Sequence, residues 1–359
     1  MKKIKIVSIV GNRPQFIKLA ALNIEIKNYK KFFKHSIIHT GQHFDKSMTD
    51  IFFKQLSISK PKYNLDVCKG NHGENTGRMI EKLEIILIKE NPTAVIVYGD
   101  TDSTLAASIS SAKLNIKIIH IEAGLRSYNK NMPEEINRIV TDHISYINFA
   151  PTKNAYKNLI NEGIDKKNIY NVGDIMLDSV ISNIKTKKFK ETENKIKKLN
   201  NKYFLLTIHR AENTYNHDFI NFVLSKLGEI NTQVIWPIHP RINKLIKLKN
   251  FKIPKNIEVI RAISYFETLA YINNCQLVIT DSGGLQKEAY FLNKPSVILR
   301  DRTEWKEIQD NKSCMILKNK KDLLKLIKKA LTIKFKKGKE FGDGKSAKKM
   351  LNIIKNKFR

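Results

Sequence analysis

VITDSGGLQKEA, residues 278–289, combines an apolar strand, a Ser-Gly-Gly turn and a helix that begins at once. Glycine lets a ligand approach the backbone closely, and the first turn of a helix offers unpaired N–H groups at the positive end of its dipole. Such a turn is typical of a seat for a phosphate or diphosphate. Glu288 lies one to two turns into the helix, where its carboxylate could accept hydrogen bonds from a ribose. The alternative is an ordinary strand-to-helix turn, because short glycine motifs are often false positives.

Short apolar strands alternate with longer helical periods along the whole chain, which predicts parallel sheets covered by helices on both faces. The pattern runs from the strand at 4–10 to the strand at 147–150 and restarts at 203–208. A length of 359 residues also favours two domains. We therefore predict an α/β protein with two doubly wound, Rossmann-like domains. The predicted limits are residues 1–172 for the first domain and 173–344 for the second, with a C-terminal helix in 345–359 that packs back on the first.

Polar and charged residues follow nearly every predicted strand. Ligands of doubly wound sheets bind at the carboxyl ends of the strands, so these positions should meet around one ligand. We expect a cleft between the domains that holds an anionic, nucleotide-type ligand. The strand-end residues are Arg13, Asp100, Glu122, Arg126, His209, His239, Ser282, Gly283 and Gly284.

Three carboxylates of the first domain, Asp100, Glu122 and Glu135, are candidates for proton transfer. With a diphosphate seat in the second domain, they suggest activation of a C–O bond to a diphosphate leaving group. Each residue also has a structural alternative. Asp100 could cap the helix that follows, Glu135 could complement a helix dipole, and His209 could be a satisfied histidine at a strand end.

The formal net charge of +31 suggests a polyanion partner at first sight. However, only ten of the 65 basic residues are arginines, and the densest lysine cluster, 185–202, has no interleaved aromatic platform for bases. We interpret this cluster as a solvated helix and linker, and we expect no specific nucleic-acid partner. Weak, salt-sensitive binding to polyanions stays an alternative.

The three cysteines, Cys68, Cys275 and Cys314, are scattered without metal-ligand spacing. Their odd number also argues against a disulfide framework, so we expect a reduced, cytoplasmic setting and no metal. The N-terminal stretch MKKIKIVSIV is interpreted as a first strand, because its apolar run is short and has no small-residue cleavage site. No apolar run reaches the ~18 residues of a membrane span, so we expect no membrane insertion.

A series of short motifs extends over essentially the whole chain: GNRPQFIK, YGDTDST, HIEAGLRS with MPEEINR, THRAENT, HPR, TDSGGLQKEA and FGDGKSA. In this order they resemble the non-hydrolysing UDP-N-acetylglucosamine 2-epimerase family. The resemblance implies the GT-B fold, an active site in the interdomain cleft and no metal or redox cofactor. It also implies inversion of C2 of a UDP-2-acetamido sugar. A base removes the C2 proton while UDP leaves C1, and UDP adds back to the resulting 2-acetamidoglycal.

The resemblance also assigns roles to residues. The family's catalytic acids match Asp100, Glu122 and Glu135, and its catalytic histidine matches His209, which is also expected near UDP. A segment matching Gln42 and His43 binds a second, activating substrate molecule in some members. The expected UDP contacts are Arg13, Ser282, Gly283, Gly284 and Glu288, with Tyr265 or Phe266 near the uracil, and the expected sugar or regulatory contacts are Gln42, His43, Arg126, Arg138 and His239.

Several motifs depart from the common bacterial pattern. The chain has GNRPQ, GQHFD and RTEWKE where GTRPE, QHREM and TERPE are common, and its SYNKNMPEE loop is short. These variants resemble the subgroup that acts on modified sugars, such as UDP-2,3-diacetamido-2,3-dideoxyglucuronate or UDP-2-acetamido-6-deoxy-L-hexoses. We expect a homodimer whose product supplies a surface polysaccharide, for example an O-antigen or capsule. The alternatives are a hydrolysing relative, a GT-B glycosyltransferase and a polyanion-binding protein.

Overall fold

The computed structural model describes residues 3–41, 53–197, 202–238, 251–335 and 337–359. The chain forms two compact units, and the first unit consists of Met1–Ile181 together with Lys339–Arg359. The second unit is Ser182–Gly338. The predicted limits, 172/173 and 344/345, lie close to these positions, and as limits of functional domains they stay a prediction.

The first unit contains a parallel sheet in the strand order β3-β2-β1-β4-β5-β6-β7. Strand β1 pairs with both β2 and β4. The chain therefore adds β2 and β3 on one side of β1 and the strands β4 to β7 on the other. The central strands are buried along their length, as expected for a sheet covered on both faces. The strands are β1 Ile4–Val10, β2 Phe33–His39, β3 Tyr63–Asn64, β4 Ala94–Tyr98, β5 Lys117–Ile121, β6 Ile147–Ala150 and β7 Ile169–Asn171.

Helices flank this sheet. The first helix begins after Asn12, whose side chain accepts from the N–H of Gln15, and Pro14 occupies its first turn. The C-terminal helix belongs to the same unit and packs on this first helix. The helices are α1 Arg13–Ile26, α2 His72–Glu90, α3 Asp102–Lys113, α4 Pro133–Ile144, α5 Lys153–Asn161, α6 Ile175–Ile184, which extends past the unit limit, and, at the C-terminus, α14 Ser346–Lys357.

The second unit has a parallel sheet in the order β10-β9-β8-β11-β12-β13, with β8 and β11 as the central pair. Its core includes Trp236, Phe204 and Leu277. The strands are β8 Tyr203–Thr207, β9 Gln233–Pro237, β10 Ile257–Ile260, β11 Leu277–Thr280, β12 Ser296–Ile298 and β13 Cys314–Ile316, and the helices are α7 Lys187–Lys197, α8 Ala211–Thr214, α9 His217–Gly228, α10 Tyr265–Asn274, α11 Gly283–Phe291, α12 Lys306–Asp310 and α13 Leu323–Thr332.

The predicted α/β class, with two doubly wound parallel sheets, is confirmed. The lysine-rich segment does form a helix, α7, but this helix also buries Phe189 and Ile196 and packs on α10. Of the helices that the structure describes, none is both long enough and apolar enough to cross a bilayer.

Candidate active site

Asp100 and Glu122 lie at the carboxyl ends of the neighbouring strands β4 and β5. Gly99 joins β4 to Asp100 with a left-handed φ of 64°. A Cβ at Gly99 would stand 2.9 Å from Nζ of Lys18 and 3.3 Å from Oε1 of Glu122. Glu122 itself has φ 76°, a conformation that costs about 1–3 kcal/mol in a non-glycine residue and is concentrated at functional sites. The two carboxylates therefore follow tightly constrained turns.

Glu122 is paired with Lys18, whose Nζ donates to Oε1. Both side chains are buried, with exposed fractions of 9% and 5%. Lys18 lies in the middle of α1, a helix whose other buried residues are mostly apolar. We did not predict Lys18 as a site residue, although a single lysine within FIKLAAL is a signal that a buried charge needs a partner.

Asp100 is held by Arg138, which donates to its Oδ2 through Nε at 3.0 Å and Nη2 at 2.5 Å. The third guanidinium nitrogen, Nη1, donates to Glu135 at 2.8 Å. Arg138 is buried, whereas the side chain of Asp100 stays 28% exposed. One guanidinium thus joins two predicted acids, and of these two Asp100 is the one accessible to a substrate.

Glu135 lies in the first turn of α4 and is buried. Its carboxylate accepts from the backbone N–H of Ser127 at 2.9 Å and of Tyr128 at 2.8 Å, and from the Ser127 hydroxyl. Burial opposes ionisation, but these hydrogen bonds and Arg138 together lower the pKa of Glu135 below its ordinary value. The carboxylate therefore anchors the loop before α4 in its ionised form. A direct catalytic role for Glu135 stays a prediction.

Arg126 lies in the interior of the first unit, with its side chain 1% exposed. Its Nη1 is 2.7 Å from Oδ2 of Asp142, and Nε and Nη2 donate to Glu162 at 2.7 and 2.6 Å. Burial alone would lower the pKa of Arg126, but the two carboxylates raise it. These contacts favour a structural role, and the predicted sugar contact of Arg126 stays a prediction.

In the second unit, Asp281 organises the carboxyl ends of β8 and β11. It is buried and accepts from the backbone N–H groups of His209 and Arg210, each at 3.0 Å, and from Nδ2 of Asn213 at 3.0 Å. The imidazole of His209 is 50% exposed, and its Nδ1 lies 3.6 Å from Oδ1 of Asp281. Asp281 therefore fixes the backbone of His209 while leaving the ring accessible. This anchor was not predicted, although Asp281 stands between the strand and the glycine turn in TDSGG.

The Ser-Gly-Gly turn begins α11. Ser282 is the N-cap, and its hydroxyl oxygen accepts from the N–H of Leu285 at 3.3 Å. A Cβ at Gly283 would meet nothing closer than Nε1 of Trp305 at 3.8 Å. The protein itself therefore has room for a side chain at Gly283, so a ligand at the helix N-terminus is a reason for glycine there.

The other predicted UDP contacts are placed as follows. Glu288, Tyr265 and Phe266 are at most 3% exposed, and the ring of Phe266 is 5.2 Å from Nζ of Lys188. Arg13 is half-buried at the start of α1. Their ligand contacts stay predictions. Within the described ranges, no three His, Cys, Asp or Glu side chains are grouped as metal ligands would be. Three predicted residues lie outside the described residues, namely Gln42, His43 and His239.

The chain also matches a protein family and individual known proteins. The family model described as UDP-N-acetylglucosamine 2-epimerase matches residues 25–355. The chain is 45% identical over 363 residues to a UDP-N-acetylglucosamine 2-epimerase homolog of Methanococcus maripaludis, covering 98% of this chain and 99% of that protein. It is also 45% identical over 311 residues, 85% of each chain, to the UDP-2,3-diacetamido-2,3-dideoxy-D-glucuronate 2-epimerase of Pseudomonas aeruginosa.

A solved structure is similar over nearly the whole length. It is the crystal structure of Methanocaldococcus jannaschii UDP-GlcNAc 2-epimerase in complex with UDP-GlcNAc and UDP. The TM-score is 0.91 at 38% sequence identity, with 98% of this chain and 100% of that chain covered.

Proposed function

This chain belongs to the UDP-N-acetylglucosamine 2-epimerase family, and we propose that it inverts C2 of a UDP-2-acetamido sugar by eliminating UDP and adding it back. It is an isomerase of the 2-epimerase class. The observation that carries the proposal is the pair of neighbouring carboxylates, Asp100 and Glu122, each matched with a buried cation. Epimerisation needs one group that takes a proton from C2 and another that returns a proton on the opposite face.

The proposed elimination and addition need no reagent other than the UDP sugar. A carboxylate removes the C2 proton, and the electrons of that C–H bond form the C1–C2 double bond. The C1–O bond breaks, and its electrons leave with the diphosphate of UDP. In the return step a diphosphate oxygen adds to C1, and C2 takes a proton on the other face. Asp100 and Glu122 are the proposed proton carriers, and Arg138 and Lys18 fix their positions.

The second unit is the proposed holder of UDP. The N-terminus of α11, with Ser282, Gly283 and Gly284, supplies N–H groups and a positive dipole end for the diphosphate. His209 extends from the neighbouring strand end with an accessible ring. Positive potential at this point stabilises the charge on departing UDP, which is how preorganised donors accelerate such steps. Holding UDP through the glycal stage would prevent its loss to solvent.

Two sugars are the leading substrates, because relatives named for each are 43–45% identical to this chain. They are UDP-N-acetylglucosamine and UDP-2,3-diacetamido-2,3-dideoxyglucuronate. A homodimeric state, a cytoplasmic location and use of the product for a surface polysaccharide are further parts of the proposal.

The test is incubation of the enzyme with each UDP sugar, followed by proton NMR of the sugar and chromatography of the nucleotides. Formation of the C2 epimer with UDP still attached supports the proposal and identifies the substrate. Accumulation of free UDP in step with a free sugar would instead indicate a hydrolysing epimerase. A reaction that proceeds only with an acceptor sugar would indicate a glycosyltransferase.

A further inference from the structure

His120 is a fully buried histidine in β5, two residues before Glu122. Its Nε2 lies 2.8 Å from the carbonyl oxygen of Gly99, the residue that precedes Asp100. Its Nδ1 lies 2.7 Å from Oδ1 of Asp142 on α4. The imidazole therefore contacts the turn that presents Asp100, and it lies two residues before Glu122 in the chain. A histidine within the otherwise apolar interior of the strand KIIHI is itself unusual.

Both partners of the His120 ring are acceptors. A carbonyl oxygen can only accept, so Nε2 must donate to Gly99. Asp142 also accepts from the N–H of Gly124 at 3.1 Å and pairs with Arg126 at 2.7 Å. Burial would raise the pKa of Asp142, but the hydrogen bonds from His120 and Arg126 and the charge of Arg126 lower it below its ordinary value. Asp142 is thus an ionised acceptor, so Nδ1 must donate as well, and a ring with two donors is an imidazolium.

We infer that His120 is a positioning residue of the epimerase site, a buried imidazolium that ties the Gly99–Asp100 turn to helix α4 through Asp142. The inference rests on the proposed function, because it concerns the placement of the proposed proton carriers. Asp142 lies seven residues after Glu135 and four after Arg138, so the three side chains share one face of α4. Helix α4 consequently positions Asp100 through two separate contacts. Arg138 donates to the carboxylate of Asp100. His120, which is hydrogen-bonded to Asp142, contacts the carbonyl oxygen of the preceding Gly99.

The charge on His120 also completes a charge network that is buried at His120, Asp142 and Arg126. Asp142 and Glu162 are its carboxylates, and His120 and Arg126 are its cations. A neutral side chain at position 120 would leave one negative charge without its counterpart in a site where Asp142 is fully buried. An amide side chain would also lose one of the two hydrogen bonds, because its NH2 group can occupy the position of only one of the two imidazole nitrogens. Glutamine matches the position of Nε2, and asparagine matches that of Nδ1.

The proposal is tested with His120→Gln and His120→Asn in the full-length enzyme. The matched control is His143→Gln, which removes an exposed histidine from the residue after Asp142. We expect both His120 variants to lose kcat by about 100-fold, the scale of a 1 Å misplacement of catalytic groups. The dissociation constant for UDP and the KM for the sugar nucleotide should stay at the wild-type values, since the proposed UDP seat lies in the other unit. The control should retain wild-type kcat.

Neutron diffraction from deuterated wild-type crystals provides a readout that needs no variant to fold. Deuterons on both nitrogens of His120 are expected, and a bare ring nitrogen would overturn the inference. So would a folded His120 variant with wild-type kcat, or one whose UDP affinity falls in parallel with its kcat. If the wild-type enzyme epimerises no UDP sugar, the proposed function fails instead, so the two failures can be told apart.

Discussion

Two nitrogens of the Arg138 guanidinium donate hydrogen bonds to one oxygen of Asp100, at 3.0 and 2.5 Å. Its remaining terminal nitrogen donates to Glu135, which in turn receives the N–H groups of the loop before α4. A planar fork of donors is suited to join two carboxylates in this way. The orientation of Asp100 is consequently linked to the order of that loop through a single side chain.

We expect Arg138→Lys to lower kcat by about 100-fold, because an ammonium group is a point charge that cannot bond two carboxylates in a fixed plane. Affinity for UDP should not change. Steady-state kinetics and titration calorimetry measure the two effects. Wild-type kcat in Arg138→Lys would show that the placement of Asp100 does not depend on the guanidinium.

Asp100→Asn and Glu122→Gln should each reduce turnover by a factor of about 100 to 10,000, the usual contribution of a positioned acid or base. Each amide keeps the shape and one acceptor oxygen, so the folded state should persist, as circular dichroism can verify. His209→Ala should likewise impair turnover, since this ring is the accessible one beside the proposed diphosphate seat.

The control for these variants is Glu134→Gln, which changes the glutamate next to Glu135 in the same helix turn. It should remain fully active. Near-normal turnover in Asp100→Asn, Glu122→Gln and His209→Ala together would refute the assignment of the site.

Two glycine variants should behave in opposite ways. Gly283→Ala is expected to weaken UDP binding about tenfold or more, or about 1.4 kcal/mol, while the melting temperature stays the same, because the new methyl group would meet only the ligand closely. Unchanged UDP affinity in Gly283→Ala would contradict the proposed phosphate seat.

Gly124→Ala should destabilise the fold by at least about 1–3 kcal/mol, since Gly124 has φ 82° and a Cβ there would overlap the carbonyl oxygen of Ala155.

Stability should depend on pH through Asp178, whose Oδ2 accepts from the N–H of Ala347 at 2.8 Å. Burial raises the pKa of Asp178 from an ordinary value of 3.8 to about 6. A raised carboxyl pKa means that the folded state favours the protonated form. The stabilisation is therefore fully present below pH 3.8 and is lost as the pH rises through about 6, by up to about 3 kcal/mol.

Asp178→Asn should accordingly raise the melting temperature at pH 8 and change it little at pH 4. The comparison variant is Asp165→Asn, at an exposed aspartate that also receives a backbone N–H. This control should give no increase at pH 8. Equal melting temperatures for wild type and Asp178→Asn at pH 8 would disprove the expectation for Asp178.

The sequence predicts much of the architecture because burial on both faces makes central strands nearly continuous apolar runs. The strands at 4–10 and 147–150 have the predicted limits. Predicted ends are less accurate where glycine begins a helix. The sequence predicts a helix after the Ser-Gly-Gly turn, yet α11 includes both glycines, because Ser282 is the N-cap and its hydroxyl oxygen accepts from the N–H of Leu285.

The sequence identifies mainly those residues of the site that lie near the ends of strands. Asp100 and Glu122 lie within two residues of a strand end, so the rule that ligands bind at carboxyl ends identifies them. Lys18 and His120 lie inside a helix and a strand, and their partners are 104 and 22 residues away in the chain. Such pairings depend on the packing of α1 and α4 against the sheet, which local patterns do not contain.

The most direct test of the central claim is incubation of the wild-type enzyme with its UDP-2-acetamido sugar in deuterated water, followed by NMR and mass spectrometry. Proton removal at C2 with retention of UDP predicts one deuterium at C2 of the product, with the bond between sugar and UDP intact. Epimerised product that keeps its original hydrogen at C2, or deuterated sugar that accumulates free of UDP, would contradict the account.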